Sequence, residues 1–347
     1  MKGKKIAALC LSGIMTASML MGCGGVNKEA VVATFDEKEV KLGVANFAAR
    51  LQQANYDDFY VAYFGKEVWS SDMYGTGTTM ESEVKTSALQ GMFDMYTLQA
   101  HMSEYGVELT ADEQAAITQT AADFIAANDE KALEALGADT AIVEEYLTLM
   151  TIQNKMQNAI MADVDTNVSD EEANTGVYSY VQVSKASYQD EEGNYVAYTE
   201  EELAELSGTV EAFAKDAAKK SLEEAAETYA YTVSKGTFTA ADENLDAGVL
   251  TALKSLNEGD ISEVVETDED YYVLRLDAKV DAEETETTRQ NIISEREETL
   301  YKEVLSGWQE GHTWTVDEKV WETVTFDNLF TSVIESTETE EVTATEE

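Results

Sequence analysis

Proline is absent from the whole of this 347-residue chain, where average usage is about 5%. No step of its folding can therefore wait on isomerisation of an X-Pro bond of its own. Only two cysteines, Cys10 and Cys23, and two histidines, His101 and His312, occur. Imidazoles and thiols so few and so far apart offer no zinc-ligand spacing, and each histidine reads as a helix or turn residue. Basic residues are also scarce. Twenty-three Lys and Arg stand against 69 Asp and Glu, a net charge of −46, which excludes nucleic acid as a partner because phosphate binding needs a basic face. No Gly-x-Ser-x-Gly elbow is present, and the two glycines of YGTGTT (74–79) are too few for a phosphate loop. Asp242, Asn244 and Asp246 take the first, third and fifth places of a calcium loop, but the sixth is Ala247 and the twelfth Leu253, where Gly and Glu are needed. Neither a metal nor another cofactor is expected.

What is present begins with an address. Lys2, Lys4 and Lys5 precede the apolar run Ile6–Met21, whose 16 residues are short for a bilayer span. The run ends in Leu20-Met21-Gly22-Cys23, which looks like a bacterial lipobox. Residues 1–22 thus read as a lipoprotein signal peptide, Cys23 as the lipidation site and 23–30 as a lipid-anchored tether. Acyl chains contribute about 0.8 kcal/mol per buried methylene, enough in combination for a stable anchor. The expected location is the cell membrane, facing the extracytoplasmic side. Cys10 leaves with the peptide, so the mature protein has no disulfide.

The body divides into three stretches. Residues 31–168 read as a helical lobe: a hairpin VVATFDEKEVKL turning at Asp36 to Lys38, a helix carrying Val44, Phe47, Leu51 and Ala54, and an aromatic stretch from Tyr56 to Tyr74. A long helix with two apolar faces follows over 80–105, then a Thr110–Glu113 capping box and helices near 112–128, 129–136 and 140–162. Residues 169–280 read as a sheet domain: a strand at 177–184, a turn-rich excursion over 189–198, helices at 199–218 and 221–231, a short strand or loop near 236–239, a helix at 247–256 and a strand at 271–276. In 281–326 a helix (283–311) leads to TWTVDEKVWETVTF (313–326), which alternates like a strand and should pair with the first hairpin. Residues 327–347, with six acids in the last 13 positions, read as an acidic disordered tail.

Two groups of residues carry a family resemblance. A helix ending in the Glu258-Gly259-Asp260 turn, then Asp-Ile-Ser-x-Val-Val-x-Thr (260–267) and an aromatic-rich strand, resembles the closing half of a parvulin-type peptidyl-prolyl isomerase domain. The first hairpin, the long helix, EYGVELTADE (104–113) and VSDEE (168–172) resemble the amino-terminal lobe of SurA- and PrsA-like folding factors. That lobe is completed by a helix from beyond the parvulin domain. The resemblance implies an α+β fold, a helical chaperone lobe completed by a C-terminal helix and strand, plus a parvulin-like β-sheet domain with flanking helices. It also implies a membrane-anchored foldase whose partners are unfolded or nascent exported polypeptides.

The chemistry is altered where it should be strongest. Parvulins hold two histidines on neighbouring strands, in S-H-I-L-V and G-Y-H-I-I-K patterns. The matching positions here are Tyr180 and Tyr272. A phenol titrates near 10 and is longer than an imidazole, so the pair implies a repacked Tyr–Tyr contact and isomerase activity that is weak or lost. Leu250 and Leu253 stand where aromatic pocket residues are sought. Client-binding candidates are Tyr56, Phe59, Tyr60, Tyr63, Phe64 and Trp69 with Met92, Met95 and Met102, because flexible thioethers suit surfaces that repack around varied apolar segments. Core filler is the competing reading of the methionines. An active isomerase using tyrosines is the alternative function, and a solute-binding or adhesion lipoprotein a second.

Overall fold

A computed structural model describes residues 14–18, 26–189 and 193–333. Cys23, most of the leader and the acidic residues beyond 333 lie outside the described residues. In chain order the elements are β1 (Ile14–Ser18), β2 (Val31–Phe35), β3 (Lys38–Lys41), α1 (Leu42–Phe64), α2 (Met80–Ala100), α3 (Ala111–Ala127), α4 (Glu130–Leu136), α5 (Thr140–Met161) and α6 (Asp170–Ala173). There follow β4 (Thr175–Ser184), β5 (Ser187–Gln189), β6 (Tyr195–Ala197), α7 (Glu200–Ala217), α8 (Leu222–Tyr229), β7 (Ser234–Thr239), α9 (Ala247–Ser255), β8 (Val265–Glu266) and β9 (Asp270–Ala278). The chain closes with α10 (Ala282–Gln309), β10 (Trp314–Val316), α11 (Glu318–Trp321) and β11 (Leu329–Val333). Two compact units result, 1–163 with 299–347, and 164–298.

In the first unit, side-chain caps set where helices start. Thr79 accepts from the Ser82 amide to open α2, Thr110 and Glu113 form the expected capping box of α3, and Asp129 and Asp139 cap α4 and α5. The core gathers Phe47, Met92, Met95, Phe124, Val143 and Leu149. Strand β10 pairs antiparallel with β2, as expected, in the sheet order β10-β2-β3. The strand is far shorter than its alternating sequence suggested. Asp317 accepts from the Lys319 and Val320 amides and turns the chain into α11. The start of the stretch read as a tail is ordered. Residues 329–333 form β11, which pairs antiparallel with β1, and Phe330 is buried.

That last segment is held by polar groups buried on α1. Arg50 donates to the carbonyls of Thr325 (2.6 Å) and Asn328 (2.9 Å), and Gln53 donates to Asn328 O (3.0 Å). Asp57 accepts from the Phe330 amide (2.7 Å) and from Trp69 Nε1 (2.7 Å). Burial pulls the Arg50 guanidinium down to about 10 and pushes the Asp57 carboxyl up.

The second unit is built on a four-stranded antiparallel sheet in the order β7-β4-β9-β8. Helices α7 and α8 cover one face through Val210, Phe213, Leu222 and Ala225 against Val181, Tyr271 and Val273. Helix α9 covers part of the other through Val249 and Leu253 against Leu274 and Leu276. A two-stranded hairpin, β5 with β6, begins before the excursion expected over 189–198, at Ser187. Arg289 donates to Val168 O and Arg296 to Asp165 O and Asn167 O, tying the start of α10 to the segment before α6.

Candidate functional site

On a strand, alternate residues share a face. Tyr178, Tyr180 and Gln182 of β4 therefore lie together on the α9 side of the sheet, opposite Leu276, Leu274 and Tyr272 of β9. The structure brings the two sequence-marked tyrosines into contact, with Tyr180 and Tyr272 ring centroids 6.1 Å apart. Tyr178 extends the row, 5.4 Å from Tyr180 and 6.0 Å from Phe238. Two glycines make this packing possible. A Cβ at Gly236 would stand 2.6 Å from the Tyr178 ring, and one at Gly176 would stand 2.3 Å from that of Phe238. Leu253 is buried in the same cluster and Leu250 is packed against it, so aliphatic groups occupy that side of the face.

At the edge of this row, Asp270 accepts from Gln182 Nε2 (2.9 Å) and faces the Tyr272 hydroxyl (3.4 Å). Burial, then the Asp270 charge, pushes the Tyr272 phenol up to about 12. Burial also raises Tyr178. Near neutral pH these phenols are neutral groups, able to donate or accept a hydrogen bond but not to exchange a proton. Tyr178 and Phe238 are buried, so what the arrangement can present to a chain segment is the half-buried Tyr180 and Tyr272 with the exposed Gln182 at their edge. Tyr178, Gln182 and Asp270 were not among the sequence candidates, although the period of two from Tyr180 was the signal for the first two.

The lobe candidates divide by burial. Met92 and Met95 are core residues, 0% and 4% exposed, and Trp69 is buried with its indole N–H on Asp57. They cannot line a surface. Met102 is half-buried beside the cluster of Leu98, Ile152 and Met156. Tyr56, Phe59, Tyr63 and Phe64 are exposed, Tyr63 by 73%, with Tyr60 partly buried among them. Their spacing of three and four puts them on one side of α1, where Phe59 lies 4.8 Å from Tyr63 and Tyr60 lies 6.0 Å from Phe64.

The two histidines, remote in sequence, meet in the first unit. Their Nε2 atoms are 3.0 Å apart, with His101 Nδ1 on Glu104 (2.6 Å) and His312 Nδ1 on Asp36 (2.7 Å). Carboxylates only accept, so each Nδ1 is the donor in its pair. The Thr313 amide and then His312 hold the Asp36 carboxyl below its usual range. Among the described residues no group of three or more His, Cys, Asp or Glu is placed to hold a metal. Asp242 and Asp246 spend their carboxylates on backbone amides, the latter as the α9 cap.

These features define an antiparallel sheet domain with an aromatic face and, separately, a helical unit with an exposed aromatic ridge. Residues 168–289 match the family described as a PPIC-type PPIASE domain, the parvulin class. The chain is also similar in structure to foldase protein PrsA from Lactococcus lactis, at 15% identity over 85% of this chain and 99% of that one, TM-score 0.33. It is similar to the peptidylprolyl isomerase PrsA from Bacillus cereus, at 18% identity over 71% and 91%, TM-score 0.32. A SurA-like chaperone structure from Campylobacter jejuni is 11% identical over 83% and 98%, TM-score 0.27. No curated protein sequence matches the chain. Among the described residues no helix is long and apolar enough to cross a membrane.

Proposed function

We propose that this protein is a lipid-anchored folding factor on the extracytoplasmic side of the cell membrane. It binds unfolded exported polypeptides, and its parvulin-like domain has weak or lost isomerase activity. The observation that carries the reading is the sheet face of the PPIC-type domain, where Tyr178, Tyr180, Tyr272 and Phe238 interlock and no imidazole is present. Rotation about an X-Pro amide faces a barrier of roughly 18–20 kcal/mol for ordinary peptide bonds. Lowering it requires groups that favour the twisted amide over the planar one. A packed row of neutral phenols supplies surface more than such discrimination. The ridge on α1 supports client binding, since contiguous exposed apolar groups mark interaction surfaces. Residues 1–22 act as the leader, removed at Cys23, which takes the lipid.

A protease-coupled assay on an X-Pro peptide, run beside suppression of aggregation of an unfolded client, tests the reading. Suppression with negligible turnover is expected. Turnover that Tyr272→Phe abolishes would establish the active-isomerase alternative instead.

A further inference from the structure

We propose that the outer edge of β11 is a strand-addition site for an extended, uncharged apolar segment of an unfolded polypeptide. Strand β1 holds that place only while the leader is attached. The inference rests on the reading that residues 1–22 are removed, and it names a mode of client capture that the aromatic ridge does not supply.

The inner edge of β11 is fixed. Asp57, 1% exposed, accepts the Phe330 amide, while Arg50 and Gln53 hold the carbonyls just before it. Along a strand, successive amides point to opposite edges. With Phe330 committed to α1, the main-chain groups of Thr331 and Val333 face the other way, toward β1. The register agrees: Thr331 lies opposite Thr16 and Val333 opposite Ile14. Among the described residues this sheet has two strands. Losing β1 leaves β11 with no strand partner, whereas the sheets around β2 and β4 are untouched. Strand edges of this kind pair readily with another extended chain.

The leader indicates what the site accepts. Backbone bonds supply affinity in strand addition whatever the side chains are, and flanking surfaces then select among sequences. The run from Ile6 to Met21, which contains β1, has no charged residue. A net charge of −46 on the whole chain repels acidic segments. The chemistry that fits is therefore apolar, uncharged and extended, the state of an exported chain before it folds.

The test uses a fluorescent peptide spanning Ser12–Met21. It is mixed with the mature chain starting at Cys23 and, separately, with the full 347-residue precursor made without processing. Saturable binding to the mature chain and at least about tenfold weaker binding to the precursor are expected, because one strand cannot occupy a filled edge. N-methylation of the peptide at Thr16, which faces Thr331, should cost about tenfold in affinity, while N-methylation at Ala17, which faces away, should not. Thr331→Pro in the mature chain removes an outer-edge amide and should give the same loss with circular dichroism unchanged. Equal binding of both methylated peptides would mean unspecific apolar adhesion and would overturn the proposal. Suppression of client aggregation without peptide binding would overturn it and leave the folding-factor reading standing. A membrane-extracted protein whose mass still includes residues 1–22 would overturn the leader reading and the proposal with it.

Discussion

Tyr178 lies flat over β7 because Gly236 has no side chain to lift it. Gly236→Ala forces a methyl to within contact-breaking range of that ring, and overpacking of this kind costs about 1–3 kcal/mol. A lower denaturant midpoint with an unchanged slope is the expected readout. Tyr272→Phe removes only a long hydroxyl contact to Asp270, so stability should stay within about 0.5 kcal/mol of the parent. Residues like these set the limit of what sequence could disclose. The Tyr180–Tyr272 contact was legible because each tyrosine falls at a recognisable strand position. The His101–His312 pair was not, since 211 residues separate its members and no periodicity links a helix end to a loop. Only the fold, by bringing the segment after α10 against the end of α2, creates that contact.

At the scale of elements, α1 and α2 place similar apolar residues in opposite settings. Phe59 and Tyr63 stand in solvent on α1, while Met92 of α2 is fully enclosed. Phe59→Ser with Tyr63→Ser should leave the thermal midpoint nearly unchanged and reduce suppression of client aggregation. Met92→Ser should instead destabilise by at least about 2 kcal/mol, the low end for emptying a buried methionine site. Equal loss of stability in both variants would show the ridge to be structural. The start of α3 was readable because a Thr three residues before a Glu carries its own mechanism, as at Thr110. The 313–326 segment was not, because strand-like alternation there competes with a single side-chain cap at Asp317. Acid counting likewise hid β11, whose order comes from Arg50, Gln53 and Asp57 on a helix some 270 residues earlier. Asp57→Ala should leave the Phe330 amide and the Trp69 indole without their acceptor and cost about 1–3 kcal/mol, seen as a lower denaturant midpoint.

For the whole molecule, charge is the dominant condition. A net charge of −46 makes self-repulsion substantial at low ionic strength, so the thermal midpoint at neutral pH should rise as salt is added. Acid acts through particular groups. A hydrogen bond from Lys155 holds the Glu113 carboxyl below its ordinary range, and one from Arg275 does the same for Glu223. A carboxyl whose folded value lies below its unfolded value gives stability that is present above about pH 4.3 and lost as pH falls further. Lys155→Ala should therefore flatten the acid limb of the stability–pH curve, measured by thermal unfolding from pH 6 to pH 3.

The division of the chain into a continuous unit, 164–298, and one split between 1–163 and 299–347 has a consequence in time. A protein crossing a membrane amino terminus first delivers its residues in order, and domains generally fold as units when their residues are available. The second unit has all of its strands once residue 298 is across. The first must wait, with Arg50 lacking its carbonyl partners and Asp57 the Phe330 amide, until residues 299–347 arrive. On the proposed reading, the chain spends its own export in the state of the chains it is proposed to receive, and its earliest-made part is the last to close.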